Sequence, residues 1–202
     1  MEINILSKTE NPIKTICMSA RICYNSQAKY TDENAKDFIK SLIKRGHESP
    51  LEHTSITFDI KGISRACANQ LTRHRMASFC QESLRYVKKK DISISDTIIP
   101  ESIKKNEFAV KEYIKTINLI SNTYNSFIQQ GIKPEDARSI LPLSFKTNIT
   151  MTMNLREIRH FLSLRLSSKA QQEIRELATK ITDILKNEGL FFIVEDIVSK
   201  NA

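Results

Sequence analysis

The stretch Arg73-His74-Arg75-Met76-Ala77-Ser78-Phe79-Cys80-Gln81-Glu82-Ser83-Leu84-Arg85-Tyr86 decides how this chain is read. Three cationic or titratable side chains in succession are costly to place in an ordinary core, because charges resist leaving water. They are at ease where something anionic docks. Arginine offers a planar fork of donors that suits phosphate and carboxylate oxygens, and Ser83 adds a hydroxyl. The segment reads as an anion site for a phosphate-bearing ligand. A second reading stands beside it, a basic solvated helix end favoured by the helix dipole.

The flanking sequence supplies the frame. Ser64 can cap a helix running to about His74, and at ~100° per residue Gln70, Arg73 and His74 share one face of it. Ile56, Phe58 and Ile60 alternate with polar residues, as do Ile149, Met151 and Met153, which predicts two half-buried strands. Ile3 to Leu6 suits a first strand. Asn11-Pro12 reads as an N-cap and N1 pair opening a helix through about Cys23. Asp32 to Arg45 is amphipathic, with Ala35, Phe38, Ile39, Leu42 and Ile43 on one stripe and Gly46 as its C′ residue. Glu101 to Gln130 reads as one helix stopped by Gly131, and Pro134 opens a short helix through Leu141. Asn154 to Leu166 and Lys169 to Asn187 close the chain as helices. Strands and helices mix without a regular βαβ rhythm, so the expected class is α+β: a single domain over residues 1–202, a mixed sheet with packed helices.

Within the Asn154 to Leu166 helix, Leu155, Ile158, Phe161, Leu162, Leu164 and Leu166 form an apolar arc. Asn154 and Arg165 project into it. Asn154 suits an N-cap. Arg165 must find an anionic or polar partner or snorkel at the helix end. Arg156 and His160, one turn apart, share a different and polar face.

The 202 residues suit one domain with a sizeable core, and 40% hydrophobic with 27% charged residues is an ordinary soluble composition. No apolar run reaches membrane-spanning length, and the N-terminus lacks a signal-peptide pattern. Cys17, Cys23, Cys67 and Cys80 form no C-x-x-C pair, which argues against a metal site, and the chain suits a reducing cytoplasm. A net charge of +8 favours anionic partners, with Lys88-Lys89-Lys90 and Lys104-Lys105 as short basic runs. The four glycines, at 46, 62, 131 and 189, build neither a G-x-G-x-x-G nor a P-loop, so side chains must hold the phosphate of any dinucleotide.

Several separated blocks now resemble one family. They are Gly46-His47-Glu48-Ser49-Pro50, Glu52-His53, Gln70 to Arg75, Gln81 to Tyr86, Ala137-Arg138 through Leu141-Pro142, Asn154-Leu155-Arg156, Arg159 to Arg165, and Ala170-Gln171. Together, in this order, they resemble the flavin-dependent thymidylate synthases. The resemblance implies that Ser49, Arg73, His74, Arg75, Gln81, Asn154, Leu155, Arg156 and His160 hold FAD. It implies that Gln70, Leu71, Thr72, Arg73, Gln81, Glu82, Ser83, Leu84, Arg85, Arg138 and Arg165 hold dUMP, and that His47 lies on the folate side. Leu84 stands where the family commonly has glutamine or glycine, and Gln172 where it commonly has an aromatic.

The chemistry so implied is reductive methylation of dUMP to dTMP, with 5,10-methylenetetrahydrofolate as carbon donor and NADPH as reductant through FAD. The resemblance gives Arg165 the catalytic role of stabilising the ionised pyrimidine, which is electrostatic stabilisation of developing charge. Ser83 is assigned to binding, since a neutral serine is a weak nucleophile without a base and only His74 offers one. Cys80 is expected to be a packed thiol. The family is homotetrameric with shared sites, which lets Arg138 reach dUMP from another protomer. Two rival classes are a nucleic-acid-binding module and a catalytically inactive flavoprotein. The first lacks any helix-turn-helix, RRM or KH signature, and the second leaves the matched polar positions without a purpose. No nucleic-acid or membrane partner is expected.

Overall fold

The computed structural model describes residues 1–86 and 92–201, so the Lys88-Lys89-Lys90 run lies outside the described residues. Strand β1 (Glu2–Lys8) leads to helix α1 (Pro12–Ile22). Asn11, expected as its N-cap, instead lies left-handed at φ 47° with no side-chain cap, a conformation asparagine tolerates better than most residues. Helix α2 (Asp32–Lys44) starts from a capping box in which Thr31 and Asn34 serve each other's backbone N–H. It ends as expected at Gly46, where φ is +76° and the N–H groups of Gly46 and His47 donate to Ile43 and Leu42 carbonyls.

Strand β2 (Ser55–Ser64) buries Ile56, Phe58 and Ile60. It runs past the readable alternation because Gly62 breaks the period. Gly62 adopts φ +69°, and its N–H donates to the Asn148 side chain at 3.1 Å. Ser64 then caps helix α3 (Arg65–Leu71) by accepting from the Cys67 N–H at 3.0 Å. The helix stops at Leu71, so Arg73 and His74 lie beyond it and do not share a helical face with Gln70. Strand β3 (Ala77–Gln81) follows, inside the basic signature. The sequence gives no hint of it, because none of its residues is fully buried and no apolar alternation exists to read. Cys80 is exposed rather than packed.

The expected long helix is two. Helix α4 (Glu101–Lys104) is separated from α5 (Glu107–Gln129) by Asn106, whose side chain accepts from the Ala109 N–H and starts a new helix. Helix α6 (Pro134–Ala137) passes into a single 3₁₀ turn at Arg138–Ile140. Strand β4 (Lys146–Asn154) buries Ile149, Met151 and Met153. Helices α7 (Leu155–Arg165), α8 (Gln172–Asn187) and α9 (Glu195–Asn201) complete the chain. The four strands form an antiparallel sheet in the order β1-β2-β4-β3, and the class is α+β as expected.

Two compact units divide the chain. One holds Met1–Ile60, Leu71–Phe79 and the chain from Thr150 onward; the other holds Lys61–Gln70 and Cys80–Ile149. Strands β2, β3 and β4 pass from one unit into the other. The first unit buries Ile16, Ile39, Phe58, Met151, Phe161 and Ile181 fully, each worth ~1.5–3 kcal/mol of transfer from water. The second has its own cluster of Leu84, Ile92, Tyr124, Ala137 and Phe145. Among the described residues no helix is long and apolar enough to cross a membrane.

Candidate active site

Helix α7 organises the first unit's polar centre. Asn154 caps it, accepting from the Glu157 N–H at 2.8 Å. The buried faces of Leu155, Ile158, Phe161 and Leu162 fix its rotation. That rotation turns Glu157, Phe161 and Arg165 toward His74, which is only 4% exposed. His74 Nδ1 lies 3.1 Å from Glu157 Oε1, and Arg165 Nε donates to His74 Nε2 at 3.1 Å. Phe161 and His160 meet the ring edge-on, with centroids at 5.1 and 5.8 Å. The apolar-arc charge at Arg165 thus finds a neutral imidazole.

An arginine only donates, so Nε2 must carry the lone pair and the ring proton sits on Nδ1. The ring is therefore neutral. Its pKa agrees: burial pushes His74 below the ordinary histidine value, the Glu157 hydrogen bond opposes that, and the Arg165 charge lowers it further. His74, Glu157 and His160 offer donor atoms within 4.8 Å of one another, a set that could hold a metal ion. The Arg165 guanidinium on the same ring opposes a second cation there.

A second network locks the same helix from behind. Arg159 is 6% exposed. Its Nη1 and Nη2 grip Asp196 at 2.7 and 3.0 Å, its Nε donates to Glu48 at 3.1 Å, and Nη1 also donates to the Ile193 carbonyl. The bidentate fork ties α7 to α9. Arg159 holds the Asp196 carboxyl below its usual range. Burial by itself would lower the Arg159 pKa, but Asp196 and Glu48 outweigh it and the net shift is upward.

A cavity of about 610 Å³ opens beside these networks. Asn154, Arg156 and His160, all expected at a flavin, share its lining with Glu48, Glu52 and Asp196. Three of the lining carboxylates pair with arginines, Glu52 with Arg156, and Glu48 and Asp196 sharing Arg159, while Glu157, also in the lining, meets the neutral His74. The wall offers amide, guanidinium and imidazole groups to a ligand, with Arg156, Arg159 and Lys200 as its cations beside four carboxylates. Ser49 lies exposed at the first position of the 3₁₀ turn Ser49–His53, and His47, Arg73 and Arg75 are exposed. Leu71 and Leu155 are buried, so only their backbones can meet a ligand.

The second unit gathers a different set. Arg85 Nε pairs with Glu135 at 2.6 Å, and Arg138 Nε donates to the Glu135 carbonyl at 3.0 Å. The Arg85 N–H donates to Ser83 Oγ at 3.2 Å. Arg85 and Arg138 thus both bond Glu135 of α6, one at its carboxylate and one at its carbonyl, and Ser83 bonds the Arg85 N–H. Gln81 Nε2 donates to Thr147 at 3.3 Å, Glu82 accepts from Asn148 at 2.9 Å, and Gln70 Nε2 donates to the Ala66 carbonyl. Leu84 is buried in the second unit's core, 5% exposed, while Thr72, in the first unit, is exposed. Arg65, which the signature reading passes over, has its Nη2 on the Glu82 carbonyl. Burial lowers its pKa, Glu82 opposes that, and Arg138 adds to the lowering.

Sequence reasoning missed Glu157 and Arg159. Arg159 lies at i+4 from Leu155 and i−3 from Leu162, in the middle of the apolar arc. That is the same signal that singled out Arg165. Glu157, one turn before Phe161, carries the same mark, though its partner His74 lies far away in sequence.

The comparisons agree with this frame. The chain is 41% identical to the flavin-dependent thymidylate synthase of Pyrococcus horikoshii over 203 aligned residues, covering 96% of this chain and 84% of that one. A protein of the same name from Geobacter sulfurreducens is 36% identical, with coverage of 92% and 82%. The profile of the family described as thymidylate synthase complementing protein matches residues 4–188. The chain belongs to the flavin-dependent thymidylate synthase family. Crystal structures of thymidylate synthase X from Helicobacter pylori, with FAD and dUMP, resemble it at 28% identity; in one, the TM-score is 0.77 and the match covers 98% of both chains. A UMP/dUMP methylase from Streptomyces cacaoi bound with 5-Br dUMP has a TM-score of 0.80 at 21% identity and shares the fold.

The acid stability of the chain draws on two of its depressed pKa values, those of His74 and Asp196. Both His74 and Asp196 are lower in the folded state, so the unfolded chain binds more protons. The stability they contribute is complete at pH 8. It is expected to fall for His74 as pH drops below about 6.5, and for Asp196 below about 4. Denaturation midpoints measured from pH 8 to pH 4 check this. A midpoint that rises below pH 6.5 would contradict the His74 assignment, and His74→Gln should flatten the upper part of the fall.

Proposed function

We propose that the chain works as one thymidylate synthase domain that converts dUMP to dTMP with bound FAD, taking the carbon from 5,10-methylenetetrahydrofolate and the reducing equivalents from NADPH. The observation that carries the reading is Arg165 anchored by Nε on a neutral, buried His74, in a chain of this family. When bound, FAD supplies the hydride that reduces the transferred carbon. The residues for holding it are Ser49, Arg73, His74, Arg75, Gln81, Asn154, Leu155, Arg156 and His160, and the cavity wall of Asn154, Arg156 and His160 supports that set. His47 serves the folate side.

dUMP falls to Gln70, Leu71, Thr72, Arg73, Gln81, Glu82, Ser83, Leu84, Arg85, Arg138 and Arg165. The cluster of Ser83, Arg85 and Arg138 suits the phosphate, because two guanidinium forks and a hydroxyl match its oxygens. Arg165 lies against the pyrimidine and holds the negative charge that develops on the ionised ring, so that C5 becomes nucleophilic toward the carbon donor. None of the four cysteines is in a disulfide, which supports a cytoplasmic setting.

The test is the purified protein itself. It should carry a flavin absorbance spectrum and form dTMP only when dUMP, NADPH and methylenetetrahydrofolate are all present. Arg75→Ala is expected to lose the flavin while the fold persists by circular dichroism; full flavin occupancy in that variant would overturn the assignment of Arg75.

The working unit is a homotetramer whose sites draw residues from more than one chain. Arg138→Ala and Arg73→Ala are each expected to be inactive. After verified subunit exchange, mixing them should restore part of the activity, because hybrid sites recover both arginines. No recovery would mean that both arginines serve their site from one chain.

A further inference from the structure

We propose that Glu157 is a positioning residue for catalysis: it accepts the Nδ1–H of His74, fixes the imidazole with its Nε2 lone pair toward Arg165, and so sets the orientation of the Arg165 guanidinium. The proposal rests on the role given to Arg165 above. Its geometry is a chain of three side chains, Glu157 to His74 to Arg165, with both links at 3.1 Å. Glu157 is 6% exposed, and a buried carboxylate is costly without a hydrogen-bonding partner.

The contact decides between two states of the ring. With the proton on Nδ1, one end donates to a carboxylate and the other accepts from a guanidinium. With the proton on Nε2, two donors face each other at one end and a lone pair faces a carboxylate at the other. Glu157 therefore selects the tautomer that Arg165 requires. The ring cannot escape by rotating, because Phe161 and His160 hold it edge-on. Glu157, Phe161 and Arg165 are spaced by four residues along α7, so one helix face grips the ring and aims the arginine.

The experiment combines a tautomer measurement with a mutant cycle on the flavin-loaded protein. In ¹⁵N-histidine-labelled wild-type protein, His74 should show a protonated Nδ1 and an unprotonated Nε2; the reverse assignment overturns the proposal. In Glu157→Ala, single-turnover dTMP formation at saturating dUMP, normalised to the flavin-loaded fraction of the variant, should fall by ~10- to 100-fold, the range for losing an outer partner that orients a functional group. Glu157→Gln retains an acceptor oxygen and should restore most of the rate. In an Arg165→Ala background, Glu157→Ala should cost little more, since the two act as one unit. Equal impairment of the Ala and Gln variants, or full additivity with Arg165→Ala, overturns the proposal. If Glu157→Ala fails to fold, the wild-type tautomer and the Gln variant still decide. A wild-type protein that forms no dTMP would instead refute the proposed function, leaving the tautomer result to judge the contact.

Discussion

Arg165→Ala is expected to lower single-turnover dTMP formation at saturating dUMP by ~10²–10³, by analogy with removing one preorganised donor from a developing anion. A guanidinium is a donor-only group, so it can stabilise an ionised ring through hydrogen bonds. Arg165→Lys keeps the charge but loses both the planar fork and the Nε that meets His74, so it should also be slow. Ser83→Ala is the contrast. Its hydroxyl accepts from the Arg85 N–H within the chain, and its loss removes one hydrogen bond. Weaker dUMP binding with measurable turnover is the expected result. Complete loss in Ser83→Ala beside a near-normal rate in Arg165→Ala would reverse the two roles.

Arg159→Ala should be the most damaging single change to stability. It removes a buried cation that makes bonds to Asp196, Glu48 and the Ile193 carbonyl, and it leaves those acceptors without it. Breaking a buried pair costs ~3–5 kcal/mol, and the lower end applies because the Asp196 side chain is 45% exposed and can recover water. For a chain of this size, about 3 kcal/mol corresponds to a fall in melting temperature of roughly 6–12 °C. Asp196→Asn should cost less, since an amide oxygen can still accept from Arg159. A melting temperature within about 2 °C of wild type for Arg159→Ala would show that the fork contributes nothing net, as exposed pairs often do.

The parts of this fold that bury alternating or helical apolar stripes were legible in the sequence. β2, β4, α2 and α7 appear where Ile, Phe, Leu and Met recur at the right period, and Ser64, Asn154 and Gly46 mark ends as their chemistry requires. What was not legible depends on tertiary partners. β3 has no buried face to betray it, and α9 is tied to α7 through Asp196 and Arg159, far apart in sequence. The helix before the signature was read too long, because three basic or polar residues after Leu71 do not themselves say that the helix has stopped.

The site shows the same division. Composition and spacing require a partner for Arg165, but they cannot name the partner. His74, which reads as one more cation in a basic run, is buried and neutral between a carboxylate and a guanidinium. The resemblance to the family supplied residue roles that physics alone would have left open. The structure in turn supplied the partner of Glu157, a charge at helical spacing from Phe161 and Arg165.

Conversion of dUMP to dTMP requires the uracil C5 to become nucleophilic and to be methylated. Methylation there replaces the C5 hydrogen, so the direct measurement is tritium release from [5-³H]dUMP by the flavin-loaded protein. Release matching dTMP formation, dependent on methylenetetrahydrofolate and NADPH and lost in Arg165→Ala, is the predicted result. A flavin-loaded, folded wild-type protein that binds dUMP yet releases no tritium with both co-substrates present would contradict the account.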